Sequence, residues 1–235
     1  EEQLADRLAE RTEGHPLFAM QLLGHWIDRG DLEVGDQGFR VPEGRTVELP
    51  DDIHQLWLDR IDRLLEQFDE SARDVVVAVE LAATLGRQVD QREWTRLLAG
   101  ANLAVPDGLV DRLIDRGLAE RTADGWAFAH GLLVDSLTRR AREAGRLEGH
   151  HRRCARMLAS MTNRDEPGPR ERIAEHWVAG GCPDRALEPL FDEVDLCTRF
   201  GETANVERLL DRRGELLDRL EIPRNDPRRI EQRIR

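Results

Sequence analysis

Between residues 69 and 146 the chain carries a succession of hydrophobic patterns that few folds accommodate. Apolar residues first recur with helical spacing in three segments, 69–85, 90–100 and 106–117. Two strand-like runs then flank Asp124 and Gly125, a dipeptide that favours a tight turn between antiparallel strands, and a further helical pattern begins at Leu132. Three helices followed by a two-stranded hairpin predict a winged-helix domain over residues 69–146.

The flanking regions predict further helices, so we expect a mainly α protein. In residues 1–68, one helix starts at Pro16 and stops at Gly30, another follows Pro50, and a short hairpin lies between them. From residue 147 onward every pattern is helical, and two turn-then-helix entries begin 20 residues apart, at Gly181 and Gly201. This rhythm predicts tetratricopeptide-like repeats over residues 147–235. The large apolar side chains of this array can serve either as core residues or as exposed anchors for a partner, and we expect all three to pack in the core: Trp177, Phe191 and Phe200.

Composition excludes several kinds of chemistry. All 35 basic residues are arginine, so no P-loop lysine, Schiff base or lysine general base is present. None of the three serines lies in a GxSxG motif, and we expect no enzymatic activity from this segment. No apolar run approaches the roughly 18 residues of a membrane span. Scattered cysteines without a CxxC pair indicate a reducing, cytoplasmic location.

The distribution of charge argues against nucleic-acid binding. The net charge is −12, with −9 in residues 1–68, −2 in residues 69–146 and −1 in residues 147–235. Nucleic-acid binders need a basic surface, and none of these regions has a basic excess. The third helix of the predicted winged helix, the one that would enter a DNA groove, carries three aspartates against two arginines. We therefore expect protein partners rather than DNA.

A metal site is conceivable only between residues 150 and 182. Two ligands four residues apart suit one face of a helix, but the remaining spacings match no known zinc pattern. We therefore predict no metal site. The candidate ligands are His150, His151, Cys154, His176 and Cys182.

Two short motifs admit both a structural and a functional interpretation. Gly14 and Pro16 suit a helix stop followed by a helix start. His130 stands where the strand-like run 126–129 meets a helix N-terminus. Such a junction collects unpaired N–H groups and the positive end of the helix dipole, which suits an anion such as phosphate, yet a neutral histidine also often completes a turn.

Five segments in order resemble the STAND class of P-loop ATPases, which are signalling switches. The family occurs in large bacterial transcription regulators, beside adenylate cyclases or kinases, and in innate-immunity receptors. The resemblance covers about residues 1–160. Its segments are LAERTEGHPLFAMQLL, LPDDIHQLWLDRIDRL, ARDVVVAVELAATLGRQVDQREWTRLL, LIDRGLAERTADGWAFAHGLLVDSL and HHRRCARMLA.

This resemblance implies a lid in residues 1–68, after a nucleotide-binding core that the sequence lacks. The chain would then be cut from a larger protein. In the family, the motif matched by Gly14 and Pro16 packs on adenine. The histidine matched by His130 reaches the β-phosphate of ADP and locks the resting state. Here Ala129 and Gly131 flank it, in place of the methionine and aspartate of eukaryotic members.

The implied function is the regulatory segment of an ATP-dependent switch. The parent protein would hold ADP or ATP with Mg²⁺, and this segment alone would bind none tightly. The segment would close on its own ATPase core, bind partner proteins through the repeats, and join an oligomer whose formation depends on nucleotide. Two alternatives remain: a nucleotide-independent interaction scaffold, and a DNA-binding winged helix.

Overall fold

The computed structural model describes residues 16–35, 38–42, 53–65, 68, 72–163 and 169–229. It is mainly helical, with two small antiparallel sheets. The chain divides into two compact units, Glu1–Ala72 and Arg73–Arg235. Among the described residues, no helix is long and apolar enough to cross a membrane.

In the first unit, a helical pair accompanies the hairpin predicted from the sequence. The elements are α1 (Pro16–Arg29), β1 (Glu33–Gly35), β2 (Gly38–Arg40) and α2 (Ile53–Leu65). The carbonyl of Trp26 accepts hydrogen bonds from the N–H groups of Asp31 and Leu32, which ends α1 and turns the chain toward β1. The two strands pair antiparallel, with Val34 opposite Phe39. Trp26 and Trp57 are among the largest buried side chains of this unit.

The second unit begins with four helices and a three-stranded sheet. The elements are α3 (Ala72–Leu85), β3 (Gln88–Asp90), α4 (Gln91–Ala101), α5 (Leu109–Asp115), β4 (Ala119–Arg121), β5 (Gly125–Phe128) and α6 (Gly131–Glu143). The predicted third helix, 106–117, is shorter in the structure. Gly108 has a φ of +77°, outside the helical region, so the helix begins only at Leu109.

Strand β3 was not predicted from the sequence. It pairs antiparallel with β5, which places β5 at the centre of the sheet, in the order β3-β5-β4. Gly125 makes this approach feasible, because a Cβ at this position would collide with the carbonyl oxygen of Val89. The glycine that indicates the hairpin turn therefore also admits the third strand.

Aromatic packing fixes β5 against the helices. Trp126 stands edge-on to Trp94 of α4, with ring centroids 5.3 Å apart, and to Phe128, at 4.9 Å. Trp126 and Phe128 are fully buried. The end of β5 is therefore anchored two residues before His130.

The rest of the second unit is a run of consecutive packed helices. They are α7 (Leu147–Met161), α8 (Pro169–Ala179), a short 3-10 helix (Pro183–Ala186), α9 (Leu187–Phe200) and α10 (Thr203–Arg219). Trp177 is buried, as expected, and Arg213 lies over the ring of Phe191 at 4.8 Å. The expectation for Phe200 was wrong: it is 61% exposed, because it is the last residue of α9, just before the turn at Gly201.

A buried carboxylate ties α3 to the α6–α7 junction. Glu80 of α3 has no exposed surface, and it accepts hydrogen bonds from Arg146 Nε at 2.9 Å and Arg146 Nη2 at 2.7 Å. His150 Nε2 lies 3.0 Å from its Oε2 atom. Burial by itself raises the pKa of Glu80, but the contacts with His150 and Arg146 outweigh it and lower that pKa below its ordinary value. Glu80 therefore stays ionised in the interior.

Candidate functional site

The two sequence motifs fall in different units. Pro16 is exposed and is the first residue of α1, as predicted for a proline that starts a helix. Gly14 lies outside the described residues. In the second unit, His130 is the second of the two residues between β5 and α6.

Backbone hydrogen bonds on both sides hold the chain as it approaches His130. The N–H of Phe128 donates to the carbonyl of Arg87 at 2.9 Å, and the N–H of Ala129 donates to that of Leu118 at 3.0 Å. His130 itself is extended, with φ −133° and ψ 139°, which is the ordinary conformation of a helix N-cap residue. The strand end and the helix start therefore fix the backbone at this residue.

The first turn of α6 has no side-chain cap from its N-cap residue. The His130 side chain makes no capping hydrogen bond to the first-turn N–H groups, and the first turn contains no acidic residue. Nothing lies within 4 Å of where a Cβ of Gly131 would stand. The positive end of the α6 dipole is thus left without a local carboxylate, beside a histidine and with open space at Gly131.

An arginine from the β3 side adds positive charge at the same junction. Arg87 Nε donates to the carbonyl of Phe128 at 3.2 Å, and Arg87 Nη2 donates to that of Ala129 at 3.2 Å. Arg87 also lines a cavity of about 630 Å³, together with the β4–β5 turn and the start of α4. Sequence reasoning missed Arg87, because its position beside His130 depends on the unpredicted pairing of β3 with β5.

The start of α4 shows the opposite arrangement. Asp90 caps it, since its Oδ1 accepts hydrogen bonds from the N–H groups of Arg92 at 2.8 Å and Glu93 at 3.1 Å. Burial alone raises the pKa of Asp90, but these backbone bonds and the Arg92 guanidinium outweigh it and lower that pKa. Here a carboxylate of the chain already fills the position that an external anion would take.

The candidate metal ligands are divided among separate contacts. His150 contacts Glu80, whereas His151 Nδ1 lies 2.9 Å from His176 Nδ1. Burial raises the pKa of the Cys154 thiol to about 12, which disfavours the thiolate that a metal requires. Within the described ranges, no group of three or more His, Cys, Asp or Glu side chains is arranged to hold a metal ion.

Helix α5, the candidate DNA-reading helix, has one of its aspartates in an ion pair. Asp111 contacts Arg121 of β4, so this carboxylate ties the helix to the hairpin.

Comparison with known proteins adds no assignment. No family model, curated protein or solved structure matches the chain.

Proposed function

We propose that this chain is the regulatory segment of a STAND-class ATPase switch. Residues 1–68 act as the lid, residues 69–146 as the winged helix, and residues 147–235 as tetratricopeptide-like sensor repeats. A P-loop core outside these 235 residues holds ADP or ATP with Mg²⁺. ADP stabilises the closed state, and a protein that binds the repeats favours the open state.

The element order of the second unit supports the winged-helix part of this proposal. A helix, a short strand, two helices and a hairpin follow one another in residues 72–128, and the short strand completes a three-stranded sheet with the hairpin. Residues of α4 and β5 share the aromatic core of Trp94, Trp126 and Phe128. A rigid base of this kind is what a phosphate-contacting side chain requires.

The uncapped start of α6 is the observation on which the nucleotide role rests. A helix N-terminus without a local acid suits the terminal phosphate of ADP, and His130 supplies a side-chain donor at the same point. The Arg87 guanidinium, bonded to the adjacent carbonyls, further favours an anion there. In the proposed switch, His130 donates a hydrogen bond to that phosphate in the closed state only.

Calorimetric titration of ADP and ATP tests this function in the protein that carries both the P-loop core and this chain. A hydrogen bond to a charged group contributes about 1.5–3 kcal/mol, so His130→Ala should weaken ADP roughly 10- to 150-fold. ATP affinity should be unchanged and basal signalling should rise. Asp90→Ala is the matched control, because it alters a helix start that already has its own cap.

Two results would contradict the proposal. Equal weakening of ADP and ATP in His130→Ala, or no weakening of either, would assign His130 a structural role. Absence of nucleotide binding by the wild-type protein would favour the interaction scaffold instead.

A further inference from the structure

Arg87 contacts the chain just before His130 at three points. It lies in the short link between α3 and β3. Its own carbonyl accepts a hydrogen bond from the N–H of Phe128 at 2.9 Å. Its side chain donates to two consecutive carbonyls, from Nε to that of Phe128 at 3.2 Å and from Nη2 to that of Ala129 at 3.2 Å. One residue therefore contacts both of the peptide units that lead from Phe128 to His130.

These contacts complete the hydrogen bonding of the two residues before His130. Phe128 and Ala129 together have two N–H groups and two carbonyls, and Arg87 engages three of these four groups. The remaining one, the N–H of Ala129, donates to the carbonyl of Leu118 at 3.0 Å. The side chain of Phe128 is fully buried. Arg87 is thus the main determinant of the direction in which the chain enters His130.

Other arginines of this unit use their guanidinium groups differently. Arg121 pairs with Asp111, and Arg172 pairs with Glu93. Among the described residues, no carboxylate lies within 4.0 Å of the Arg87 guanidinium. Its planar group presents two donors to two main-chain carbonyls instead. This arrangement fixes a backbone segment rather than balancing a charge of the chain.

We infer that Arg87 is the positioning residue of His130. The inference rests on the proposed function, in which His130 donates a hydrogen bond to the terminal phosphate of ADP. A donor of this kind has to be held within about 0.5 Å of its productive position. Arg87 meets this requirement by fixing the two peptide units before His130, so it acts on the nucleotide through the histidine.

Amide hydrogen exchange in the 235-residue chain tests the positioning itself. Arg87→Ala removes both side-chain contacts, so the amides of Ala129 and Leu133, which flank His130, should exchange about five-fold faster or more. Amides of α4 should keep their rates, because the aromatic core that holds α4 is unchanged.

Arg121→Ala is the matched control for this measurement. It removes an exposed ion pair on the same sheet and should leave all of these exchange rates unchanged. Unchanged rates at Ala129 and Leu133 in Arg87→Ala would overturn the inference. An equal rise in the rates of the α4 amides would also overturn it, because Arg87 would then stabilise the whole domain.

A double-mutant cycle tests whether Arg87 acts through His130, in the protein that carries the P-loop core and this chain. Arg87→Lys keeps the charge but replaces the planar pair of donors with one ammonium group. It should weaken ADP roughly 2- to 12-fold, as expected for one lost hydrogen bond, and leave AMP unchanged. In the His130→Ala background, Arg87→Lys should not weaken ADP further.

The outcomes separate this inference from the proposed function. If His130→Ala does not weaken ADP selectively, the proposed function fails and the inference fails with it. If His130→Ala weakens ADP but Arg87→Lys does not, or if the two losses multiply in the double variant, only the positioning role of Arg87 is overturned. An equal loss for ADP and AMP in Arg87→Lys would overturn that role in favour of a general structural one.

Discussion

Two helices of the second unit begin within two residues of the end of a β-strand, and the N–H groups of their first turns differ in their capping. Helix α4 follows β3 and is capped by Asp90, which accepts two backbone hydrogen bonds. Helix α6 follows β5, and the side chain of its N-cap residue, His130, makes no capping hydrogen bond to the helix start. Asp90 brings its own negative charge to the helix dipole, whereas His130 brings a hydrogen-bond donor.

We call the start of α4 closed, because a carboxylate of the chain caps it, and the start of α6 open, because its N-cap side chain makes no capping hydrogen bond. Because β3 and β5 are paired, the two starts share one scaffold and one aromatic core. Any change that merely loosens this scaffold should affect both. A change at the start of α4 should affect stability, because it removes a cap. A change at the start of α6 should instead affect the proposed binding of an anion.

Loss of the buried carboxylate should loosen the shared scaffold most. Glu80→Ala leaves the buried His150 without its partner and the half-exposed Arg146 without its acceptor, and we expect a loss of about 1–3 kcal/mol in the free energy of unfolding. Urea denaturation measures it. The control, Glu143→Ala, removes an exposed pair with Arg139 on α6 and should change little. Equal losses in the two variants would mean that Glu80 does not hold the scaffold.

Acid should destabilise the second unit through its paired histidines. Burial, with the positive charge that His151 and Arg172 can carry, lowers the pKa of His176 from 6.5 to about 4. Below pH 6.5 the unfolded chain therefore binds a proton that the folded chain does not. The stability present above pH 6.5 should fall by up to about 1.4 kcal/mol per pH unit, until pH 4.

Urea denaturation between pH 7.5 and 4.5, at roughly half-unit steps, measures this slope. Asp90 and Glu80 have lowered pKa values, so their contributions begin to fall as the pH approaches their ordinary pKa values of 3.8 and 4.5, and the slope is read above about pH 5.5. His176→Gln should flatten the slope. An unchanged slope in this variant would assign the acid sensitivity to other groups. Because acid should lower the stability of the second unit, nucleotide titrations are best made above pH 6.5.

Removal of the α4 cap should have a moderate effect on stability alone. We expect Asp90→Ala to lower the free energy of unfolding by about 1 kcal/mol, because two N–H groups lose their acceptor. His130→Ala should shift it by less than about 0.5 kcal/mol. Thermal denaturation of both variants checks this, and a larger loss for His130→Ala would show that the α6 start is also closed.

A carboxylate placed at the open start should give a small stability change, in the opposite direction to that of Asp90→Ala. His130→Asp converts the α6 start into the α4 arrangement, and we expect a gain of about 0.5–1 kcal/mol from the new cap and the helix dipole. Chemical denaturation measures the gain. Lower stability in His130→Asp would mean that the side chain of His130 makes a contact more valuable than a cap.

Local signals in the sequence predicted most helices but not the contacts between distant segments. The pattern LEGHHRRCARMLASM predicted α7 with the bounds observed, Leu147–Met161, because helical periodicity and flanking breakers are local. The run WAFAHG likewise placed His130 between a strand and a helix. Strand β3 was not predicted, because these three residues form a strand only through their pairing with β5, about 37 residues later in the chain.

The charged contacts were beyond sequence reasoning for the same reason. Glu80 is one acid in an otherwise apolar stretch of α3, and no local pattern indicates that Arg146 and His150 contact it. The position of Arg87 beside His130 also depends on tertiary packing. Phe200 was expected in the core, but exposure at a helix end depends on which helix packs next.

The ADP-to-AMP affinity ratio tests most directly whether the open start of α6 holds a terminal phosphate. Both nucleotides are titrated into wild type and His130→Ala, in the protein that carries the P-loop core and this chain. His130→Ala should weaken ADP roughly 10- to 150-fold and leave AMP, which lacks the β-phosphate, unchanged. Equal changes for ADP and AMP, or none for either, would contradict the assignment of His130 to that phosphate.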